Sequence, residues 1–262
     1  LNLNPNLSTI MKRFGLFGHP LEHSYSKKFF TEKFQREGRT DCVYENFDSD
    51  NIYDLKKIVR DNPDLVGLNV TIPYKQDVIP MLDNLDDISQ RIGAVNTIRI
   101  QRFENGKFEL HGFNTDAWGF ELAIRPILHP HHRRALILGT GGSAKAVSYV
   151  FRKLAIEHFF VTREESRFHY CYADLNQNTM KAFQVVVNTT PLGMYPNVND
   201  APNIPYEFLT HKHLCFDLIY NPPQTRFLEK SKASGAFIHN GFRMLRLQAE
   251  KAWEIWNEPI YV

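Results

Sequence analysis

The side chains best suited to chemistry lie in short polar segments at the ends of apolar, strand-like runs. In the segment GLNVTIPYK an apolar run ends in Asn69 and Thr71, and the turn residue Pro73 brings Lys75 close behind them. Strand ends are where α/β folds bind their ligands. We therefore regard Lys75 as a candidate catalytic residue, although a lysine is more often a solvated surface charge.

Two further loops offer polar side chains in similar positions. Asn96 in GAVNT and Asp116 in GFNTDAWG stand at element ends, flanked by small or turn-forming residues. A few well-placed polar groups usually fix the orientation of a small ligand. An amide, a carboxylate and an amine from three separate loops would suit a polyhydroxylated one.

Two serines precede a predicted amphipathic helix in GHPLEHSYSKKFF. Ser24 and Ser26 are two residues apart, so in an extended segment both hydroxyls point to one side and can converge on one acceptor. Either serine could instead cap the helix. A helix start also favours a carboxylate ligand, so the two roles can coexist.

A glycine-rich turn lies between a predicted strand and a predicted helix in RRALILGTGGSAKAVSYVF. Gly139, Gly141 and Gly142 let the backbone turn tightly and approach an anion. The helix then offers its free N–H groups to a pyrophosphate. The pattern predicts a dinucleotide site, and a tight turn without a ligand is the alternative.

The tip of the next predicted strand bears on the choice of dinucleotide. Arg163 and Arg167 suit the 2′-phosphate of NADP, because a guanidinium pairs well with phosphate oxygens. Glu164 would instead suit the ribose diol of NAD. The two guanidinium groups favour NADP.

Apolar runs alternate with helical patterns along the chain, which predicts an α/β protein with mostly parallel strands. The sequence Asn105–Gly106 within Arg102–Lys107 indicates a hairpin turn. The predicted strands are Phe14–Gly18, Val43–Phe47, Leu65–Val70, Asn96–Ile100, Ala135–Leu138, Phe159–Thr162, Val185–Asn188, Cys215–Leu218 and Ala236–His239. The predicted helices include Ser26–Gly38, Ile52–Asp61, Ala144–Leu154 and a C-terminal segment, Gly241–Trp256.

A domain boundary is expected within Asp116–Arg134, where a helical stretch leads into HPHHRR. His129, His131 and His132 in that loop could suggest a metal cluster, but their spacing puts no set of ligands on one regular face. We therefore expect a solvated linker. The C-terminal helix needs a surface on which to bury its apolar face, and the first domain is one candidate.

Composition narrows the function classes. The formal net charge is +2, which gives no sign of a nucleic-acid surface. The three cysteines are far apart, which argues against a disulfide framework or structural zinc, and no apolar run is long enough to span a membrane. Residues 1–10 precede Met11, and we expect them to be an upstream or artificial extension.

Eight segments together resemble the shikimate dehydrogenase family. In chain order they are GHPLEHSYS, GLNVTIPYK, GAVNT, GFNTDAWG, LGTGGSAKAV, VVNTTPLGM, FDLIYNPPQTRFLEKSKASG and GFRMLRLQAEKAWEIW. The resemblance implies an N-terminal α/β substrate domain over residues 11–115 and a Rossmann-like NADP-binding domain over residues 116–240, with helix 241–262 packing back on the first. It also implies a cytoplasmic oxidoreductase, monomer or homodimer, that interconverts 3-dehydroshikimate and shikimate for aromatic amino-acid biosynthesis.

The resemblance also implies a role for each candidate substrate-binding residue. Lys75 would be the acid and base, paired with Asp116, so that no metal is needed to polarise the carbonyl. Ser24, Ser26 and Tyr220 would hold the substrate carboxylate. The residues implied to bind ring hydroxyls are Asn69, Thr71, Asn96, Asp116 and Gln248. Gln248 interrupts an apolar helical face, and a core glutamine with a backbone partner is its alternative.

By the same resemblance, the residues around the pyrophosphate are Gly139, Gly141, Gly142, Ser143 and Ala144, and Arg163 takes the 2′-phosphate. The cofactor approaches would be lined by Asn188, Thr189, Met194, Ile219, Gly241 and Met244. Two features depart from the family: Thr162-Arg163-Glu164 replaces its Asn-Arg-Thr, and the short stretch before Val185 suggests a missing or reduced crossover helix. The alternatives are therefore an NAD-dependent quinate/shikimate dehydrogenase and a sensor that binds shikimate without turnover.

Overall fold

A computed structural model describes residues 11–22, 24–164, 167 and 169–258. The chain divides into two compact units. The first unit takes the described residues up to Gln90, Val95–Phe113 and those from Ala252 onward, and the second takes Arg91–Ala94 and Asn114–Lys251. Residues 1–10, for which an extension was predicted, and the last four residues of segment 241–262 lie outside the described residues.

The first unit is built on one mixed sheet with the strand order β2-β1-β3-β5-β6-β4. Strand β1 pairs in parallel with β2 and β3, whereas β5 runs antiparallel to β3 and β6. The strands are β1 Lys12–Gly18, β2 Cys42–Asp48, β3 Leu65–Val70, β4 Asn84–Leu85, β5 Thr97–Arg102 and β6 Phe108–Phe113. The helices are α1 Ser26–Arg36, α2 Asp54–Asp61, α3 Asp87–Ile92, which crosses the boundary between the units, and a 3₁₀ turn at Ile79–Met81.

The end of the C-terminal helix closes one face of this sheet. The indole of Trp256 is 4% exposed and its Nε1–H donates to the carbonyl oxygen of Ile98 at 2.9 Å. Its ring stacks on that of Phe14, with centroids 5.0 Å apart. Gly67 lies directly beneath it, where a Cβ would come within 2.3 Å of the indole. Glycine at this point of β3 therefore allows the indole to reach the sheet.

The second unit contains a fully parallel sheet in the order β12-β11-β10-β7-β8-β9. Counted within this unit, the order is 3-2-1-4-5-6, the doubly wound arrangement of dinucleotide-binding domains. Its strands are β7 Arg134–Leu138, β8 Glu157–Thr162, β9 Tyr170–Cys171, β10 Val185–Asn188, β11 Leu214–Asp217 and β12 Phe237–His239. Its helices are α4 Thr115–Ile124, α5 Gly142–Lys153, α6 Gln177–Ala182, α7 Arg226–Ala233 and α8 Phe242–Asn257, which crosses into the first unit at Ala252, with 3₁₀ turns at Arg125–Ile127, Tyr172–Asp174 and Tyr206–Phe208.

The predicted α/β class with mostly parallel strands is confirmed. The hairpin is also confirmed, because β5 and β6 pair on either side of a turn in which Gly106 has φ +77°. Strands β7 and β10 are apolar apart from Arg134 and Asn188, and all their residues except Arg134 are buried, as expected for the centre of a parallel sheet. Two very short strands, β4 and β9, carried no pattern from which they could be predicted.

The loop HPHHRR is largely exposed, as predicted, but it does not link two units, and one of its histidines is buried. It lies inside the second unit, and His132 is 4% exposed. Its Nδ1 accepts the N–H of His129 at 3.0 Å, and its Nε2–H donates to the carbonyl oxygen of Lys212 at 3.1 Å. Both ring nitrogens therefore satisfy backbone groups, which explains why the imidazole packs inside. No cluster able to hold a metal ion occurs among the described residues.

The connection between β8 and β10 has little helix, as predicted. In the described part of that connection, helix is confined to the 3₁₀ turn Tyr172–Asp174 and the short helix α6. Strand β9 pairs with β8 through Val161 and Thr162. As regards membranes, the helices found in the described ranges are all too short or too polar to cross one.

Candidate active site

One edge of the first unit's sheet gathers most of the predicted substrate-binding residues. Strands β1 and β3 end at this edge, and β5 begins there because it runs in the opposite direction. The N–H of Thr71 donates to the carbonyl oxygen of Phe17 at 3.0 Å, and the N–H of Val95 donates to that of Lys75 at 2.7 Å. The backbone thus holds Thr71, Lys75 and Asn96 close to the end of β3.

The amide of Asn69 is held in one orientation. Its Nδ2 donates to the carbonyl oxygen of Asn96 and to Oγ1 of Thr97, both at 3.3 Å. Its Oδ1 accepts the hydroxyl of Tyr44 at 2.8 Å. A carbonyl oxygen only accepts, so Nδ2 must face Asn96 and Oδ1 must face Tyr44. An amide oxygen can accept twice, which leaves Asn69 able to bind a ligand hydroxyl.

Tyr44 is a site residue that the sequence analysis missed. It is 2% exposed in the middle of β2, and burial raises the pKa of its phenol well above the ordinary value, while a hydrogen bond with Ser26 opposes this rise. Tyr44 therefore links Ser26 to Asn69. A buried tyrosine usually needs a partner for its hydroxyl, and a tyrosine between Val43 and Glu45 in a predicted strand could have been recognised as one.

The two serines do not cap α1 in the usual way. Tyr25 is the N-cap residue and makes no side-chain cap bond, so Ser26 is the first helical residue. The Oγ of Ser24 accepts the N–H of Ser26 at 3.3 Å. Both serines are half-buried, and His23 lies outside the described residues. The Oγ of Ser24 is thus within hydrogen-bond distance of the Ser26 backbone at the start of the helix.

The loop that carries the serines is tied to the end of β2. One oxygen of Asp48 accepts from the imidazole Nδ1 of His19 at 2.7 Å, and the other accepts the N–H of Leu21 at 2.8 Å. The hydrogen bond from His19, followed by that from Leu21, lowers the pKa of Asp48 below its usual range. Asp48 therefore anchors the segment leading to Ser24.

Asp116 and Gln248 belong to the second unit. Asp116 is 5% exposed in the first turn of α4, where a carboxylate is favoured by the helix dipole. The preceding Asn114 caps the helix by accepting the N–H of Ala117 at 3.0 Å. Gln248 accepts from the hydroxyl of Thr115 at 3.3 Å and donates to the carbonyl oxygen of Leu245 at 3.0 Å. Gln248 therefore has a backbone partner, as expected for the alternative of a core glutamine. It also lies beside the start of α4.

The glycine turn has the form needed for an anion. Strand β7 ends at Leu138, and Gly139 has φ +100°, a conformation that favours glycine. Helix α5 begins at Gly142, and its N-cap, Gly141, supplies no side chain to satisfy the first N–H groups. A Cβ on Gly141 would meet no atom within 4 Å. Ser143 and Ala144 follow in the first turn, where a pyrophosphate could approach the backbone N–H groups.

The residues beyond β8 are accessible to a nucleotide. Arg163, Glu164 and Arg167 are all exposed. The hydroxyl of Thr162 donates to the carbonyl oxygen of Glu164 at 2.6 Å, which fixes the turn that carries these charges. The guanidinium groups that suit NADP and the carboxylate that suits NAD are therefore all accessible to a nucleotide. Glu165 and Ser166 lie outside the described residues.

The remaining predicted cofactor residues follow the ends of β10, β11 and β12. Thr189 donates its hydroxyl to the carbonyl oxygen of Leu138 at 2.6 Å. Met194 is 41% exposed, whereas Ile219 is 6% exposed. Gly241 donates its N–H to the carbonyl oxygen of Ile219 at 3.0 Å. The half-buried Tyr220, predicted for the substrate carboxylate, lies next to Ile219 in the loop after β11.

A second residue missed by the sequence analysis is Asp217, the last residue of β11. It is fully buried, and burial raises the pKa of its carboxyl to about 7, an effect that three hydrogen-bond donors partly offset. The sequence signal was an aspartate ending an apolar strand in CFDLIY. Only the structure shows that this aspartate points into the protein.

Comparison with known proteins identifies the family of the chain. A model for the shikimate dehydrogenase substrate binding domain matches residues 16–98. A protein of Methanopyrus kandleri named shikimate dehydrogenase (NADP(+)) is 37% identical over 264 residues, covering 92% of this chain and 89% of the relative.

Solved structures give the same result. The shikimate 5-dehydrogenase of Thermus thermophilus, in complex with NADP(H) and shikimate, superposes with a TM-score of 0.80 and 30% identity, covering 94% of each chain. The quinate dehydrogenase of Corynebacterium glutamicum, in complex with NAD, gives a TM-score of 0.81 at 26% identity, covering 94% of each chain. From its sequence identity over nearly the whole length and the shared fold, this chain belongs to the shikimate dehydrogenase family.

Proposed function

We propose that this protein is an NADP-dependent oxidoreductase that interconverts 3-dehydroshikimate and shikimate, a step of aromatic amino-acid biosynthesis. The observation that carries the proposal is the polar edge of the first unit's sheet, where Lys75 lies with Asn69, Thr71 and Asn96. Relatives that are 35% and 37% identical over 92% of this chain are named shikimate dehydrogenase (NADP(+)). Residues 11–115 would form the substrate domain and residues 116–240 the nucleotide domain.

The first unit offers matching groups for a cyclic hydroxy acid. Ser24 and Ser26 would donate to the carboxylate of the substrate, with Tyr220 of the second unit as a further donor. Asn69, with its fixed amide, would accept a ring hydroxyl at Oδ1. Thr71, Asn96 and Gln248 would bind the remaining ring hydroxyls. Such bonds to a polar ring give specificity, because a substrate lacking a hydroxyl leaves them unpaired.

The proton step is assigned to Lys75, with Asp116 as the second catalytic residue. NADPH, when bound, supplies a hydride to the carbon of the C3 ketone. As the C–H bond forms, the ammonium of Lys75 donates its proton to the ketone oxygen, giving the alcohol and a neutral amine. In the oxidative direction the neutral amine takes the proton back from the alcohol. The chemistry uses no metal ion, because the ammonium polarises the carbonyl.

The described residues fit a dinucleotide. No side chain of the N-cap Gly141 covers the start of α5, so a pyrophosphate could approach it, and Arg163 is exposed where a 2′-phosphate would bind. The alternative, an NAD-dependent quinate/shikimate dehydrogenase, is favoured by Glu164 and by the NAD-bound quinate dehydrogenase among the similar structures. Arg163 pairs better with phosphate than with a ribose, so we retain NADP.

The test is the absorbance of reduced nicotinamide with purified protein and shikimate, run with NADP and NAD in parallel. Lys75→Ala should lower kcat by about 10²- to 10⁴-fold, as expected for the loss of a general acid and base. Lys56→Ala, which removes an exposed amine from α2, should leave the rate unchanged. Faster reduction with NAD, or turnover of quinate, would replace the NADP assignment by the alternative.

A sensor that binds shikimate without turnover is the remaining alternative. Shikimate binding measured by calorimetry, together with no reduction of either nucleotide, would establish it and overturn the mechanism. The same protein run on a gel-filtration column with light scattering would decide between the expected monomer and homodimer.

A further inference from the structure

The second unit holds a carboxylate that the proposed reaction does not use. Asp217 and Asn188 are the last residues of β11 and β10, and they face each other in the parallel register. Both side chains are 0% exposed. Burying a charge costs free energy unless several hydrogen-bond donors compensate for it. The donors around Asp217 are therefore the groups that its carboxylate holds in place.

Three donors converge on this carboxylate. Its Oδ1 accepts the Nδ2 of Asn188 at 3.1 Å and the N–H of Ile219 at 3.0 Å. Its Oδ2 accepts the hydroxyl of Thr225 at 2.6 Å. All three groups can donate, so the ionised carboxylate matches its surroundings better than a carboxylic acid, which would turn a proton towards one of them.

Asn188 extends the network into the loop after β10. Its Oδ1 accepts both the N–H of Thr190 at 3.0 Å and the hydroxyl of Thr190 at 2.6 Å. Its Nδ2 donates to Asp217 and, at 3.4 Å, to the carbonyl oxygen of Leu192. The amide is therefore occupied within the protein and buried. Asn188 was predicted to touch the cofactor, but this geometry favours an indirect role for its side chain.

Thr225 extends the network in the other direction. Its Oγ1 caps α7 by accepting the N–H of Leu228 at 3.3 Å, while its hydroxyl proton goes to Asp217. The loop between Asp217 and Thr225 contains Ile219 and Tyr220, and Gly241 is bonded to Ile219. The network thus joins the two loops that carry Thr189, Met194, Ile219 and Tyr220, all assigned to ligands above.

We propose that Asp217 is a positioning residue whose carboxylate ties the loop after β10 to the loop after β11 and thereby sets the affinity of the second unit for NADP. The proposal rests on the proposed function for the identity of the nucleotide. Asp217 and Asn188 would hold the backbone of the two loops in place, and other residues on those loops would contact the nucleotide.

The experiment measures the Kd of NADPH without substrate, by nucleotide fluorescence, together with KM for NADP, kcat and Tm. At about pH 8.5, above the pKa of about 7 to which burial raises the carboxyl of Asp217, Asp217→Asn keeps the size of the side chain but removes its charge. Because loss of the charge weakens the three hydrogen bonds that hold the two loops, we expect Kd and KM to rise about tenfold or more. The kcat at saturating NADP should change much less. The matched control is Glu207→Gln, which removes an exposed carboxylate of the same unit and should leave Kd unchanged.

A second pair of variants decides the case even if Asp217→Asn does not fold. Thr225→Val removes the donor to Asp217, whereas Thr225→Ser keeps it. The proposal expects a weaker Kd for the valine variant and one near wild type for the serine variant. Equal Kd values for the two, or an Asp217→Asn protein with a lowered Tm and an unchanged Kd, would show that the network only stabilises the fold.

The failure of the proposed function would look different. A wild-type protein that binds NADPH but does not oxidise shikimate would refute the function and leave the comparison of Kd values intact. A wild-type protein that turns over shikimate, with variants that bind NADPH equally well, would refute only the role of Asp217.

Discussion

At the scale of single residues, Tyr44 shows how one buried hydroxyl fixes two polar side chains. It donates to Asn69 at 2.8 Å and interacts with Ser26. Its one proton goes to Asn69, so Ser26 donates to the phenol oxygen, and this single serine proton would have to turn to the substrate carboxylate when one binds. The carbonyl oxygen of Asn96 fixes the Nδ2 end of the Asn69 amide, and the phenol occupies one of the two acceptor sites of its Oδ1.

Tyr44→Phe should consequently weaken both stability and substrate binding. The change leaves Oδ1 of Asn69 buried without its donor, which costs about 1–3 kcal/mol. We expect a lower Tm and a KM for shikimate several times higher, with KM for NADP unchanged because Tyr44 belongs to the first unit. Tyr53→Phe, at a tyrosine that is 77% exposed, is the control. An unchanged KM for shikimate in Tyr44→Phe would refute the orienting role.

At the scale of elements, most helices and strands were predictable because each carries a local signal. The apolar runs of β3, β7 and β10 coincide with buried strands, and Asn105–Gly106 marks a hairpin. The predicted helix Ser26–Gly38 starts correctly and ends at Arg36. Element boundaries were less exact: β11 begins and ends one residue earlier than predicted, because hydropathy does not show where pairing with β10 stops.

Features that depend on contacts distant in sequence could not be predicted. The candidate residues Lys75, Asn69 and Asn96 were identified from their places at strand ends, but the network through Tyr44 depends on pairing between β1, β2 and β3. Asp217 and Asn188 meet only because β10 and β11 are neighbours. The burial of His132 in the loop HPHHRR was not predicted, since its ring bonds to the backbone of Lys212, far along the chain.

The loop HPHHRR leads to a prediction about how the stability of the protein depends on pH. Burial, together with the nearby rings of His131, His129 and His213, lowers the pKa of His132 to about 4, against the opposing hydrogen bond to Lys212. Between that value and its ordinary pKa of 6.5 the unfolded chain binds the proton and the folded chain does not. The contribution of neutral His132 to the free energy of unfolding is therefore fully present above pH 6.5. It is lost as the pH falls towards 4, and the loss amounts to up to about 3 kcal/mol.

The variant His132→Asn keeps an acceptor for the N–H of His129 but cannot be protonated. It should have a lower Tm than wild type at pH 7, because one hydrogen bond and some packing are lost. Its Tm should fall less than that of wild type between pH 7 and pH 4.5. Parallel Tm curves for the two proteins over this range would show that His132 does not cause the loss of stability in acid.

At the scale of the whole molecule, each unit carries its own set of candidate ligand residues. The match to the family's substrate binding domain, residues 16–98, falls mainly in the first unit. The glycine turn and the exposed Arg163 and Glu164 belong to the second. Binding of a nucleotide alone should therefore stabilise the protein without shikimate, and the size of the effect should reveal which nucleotide is preferred.

A nucleotide that binds only the folded protein raises its Tm, so the preference for one nucleotide can be measured as a shift of Tm. A nucleotide present at about 100 times its Kd raises the free energy of unfolding by about 2.7 kcal/mol, which for a chain of this length is a shift of about 5–10 °C. At equal concentrations we expect a larger shift with NADP than with NAD. Arg163→Ala should reduce the shift with NADP and leave that with NAD unchanged, because it removes only a partner for the 2′-phosphate.

Arg152→Ala provides the matched control, since Arg152 is an exposed arginine in the last turn of α5, at the opposite end from the glycine turn. It should leave both shifts as in wild type. A larger shift with NAD, reduced by Glu164→Gln, would mean that the carboxylate beside Arg163 determines the cofactor. Since NADP carries the additional phosphate, such a result would also mean that Glu164 repels it more strongly than two exposed guanidinium groups attract it.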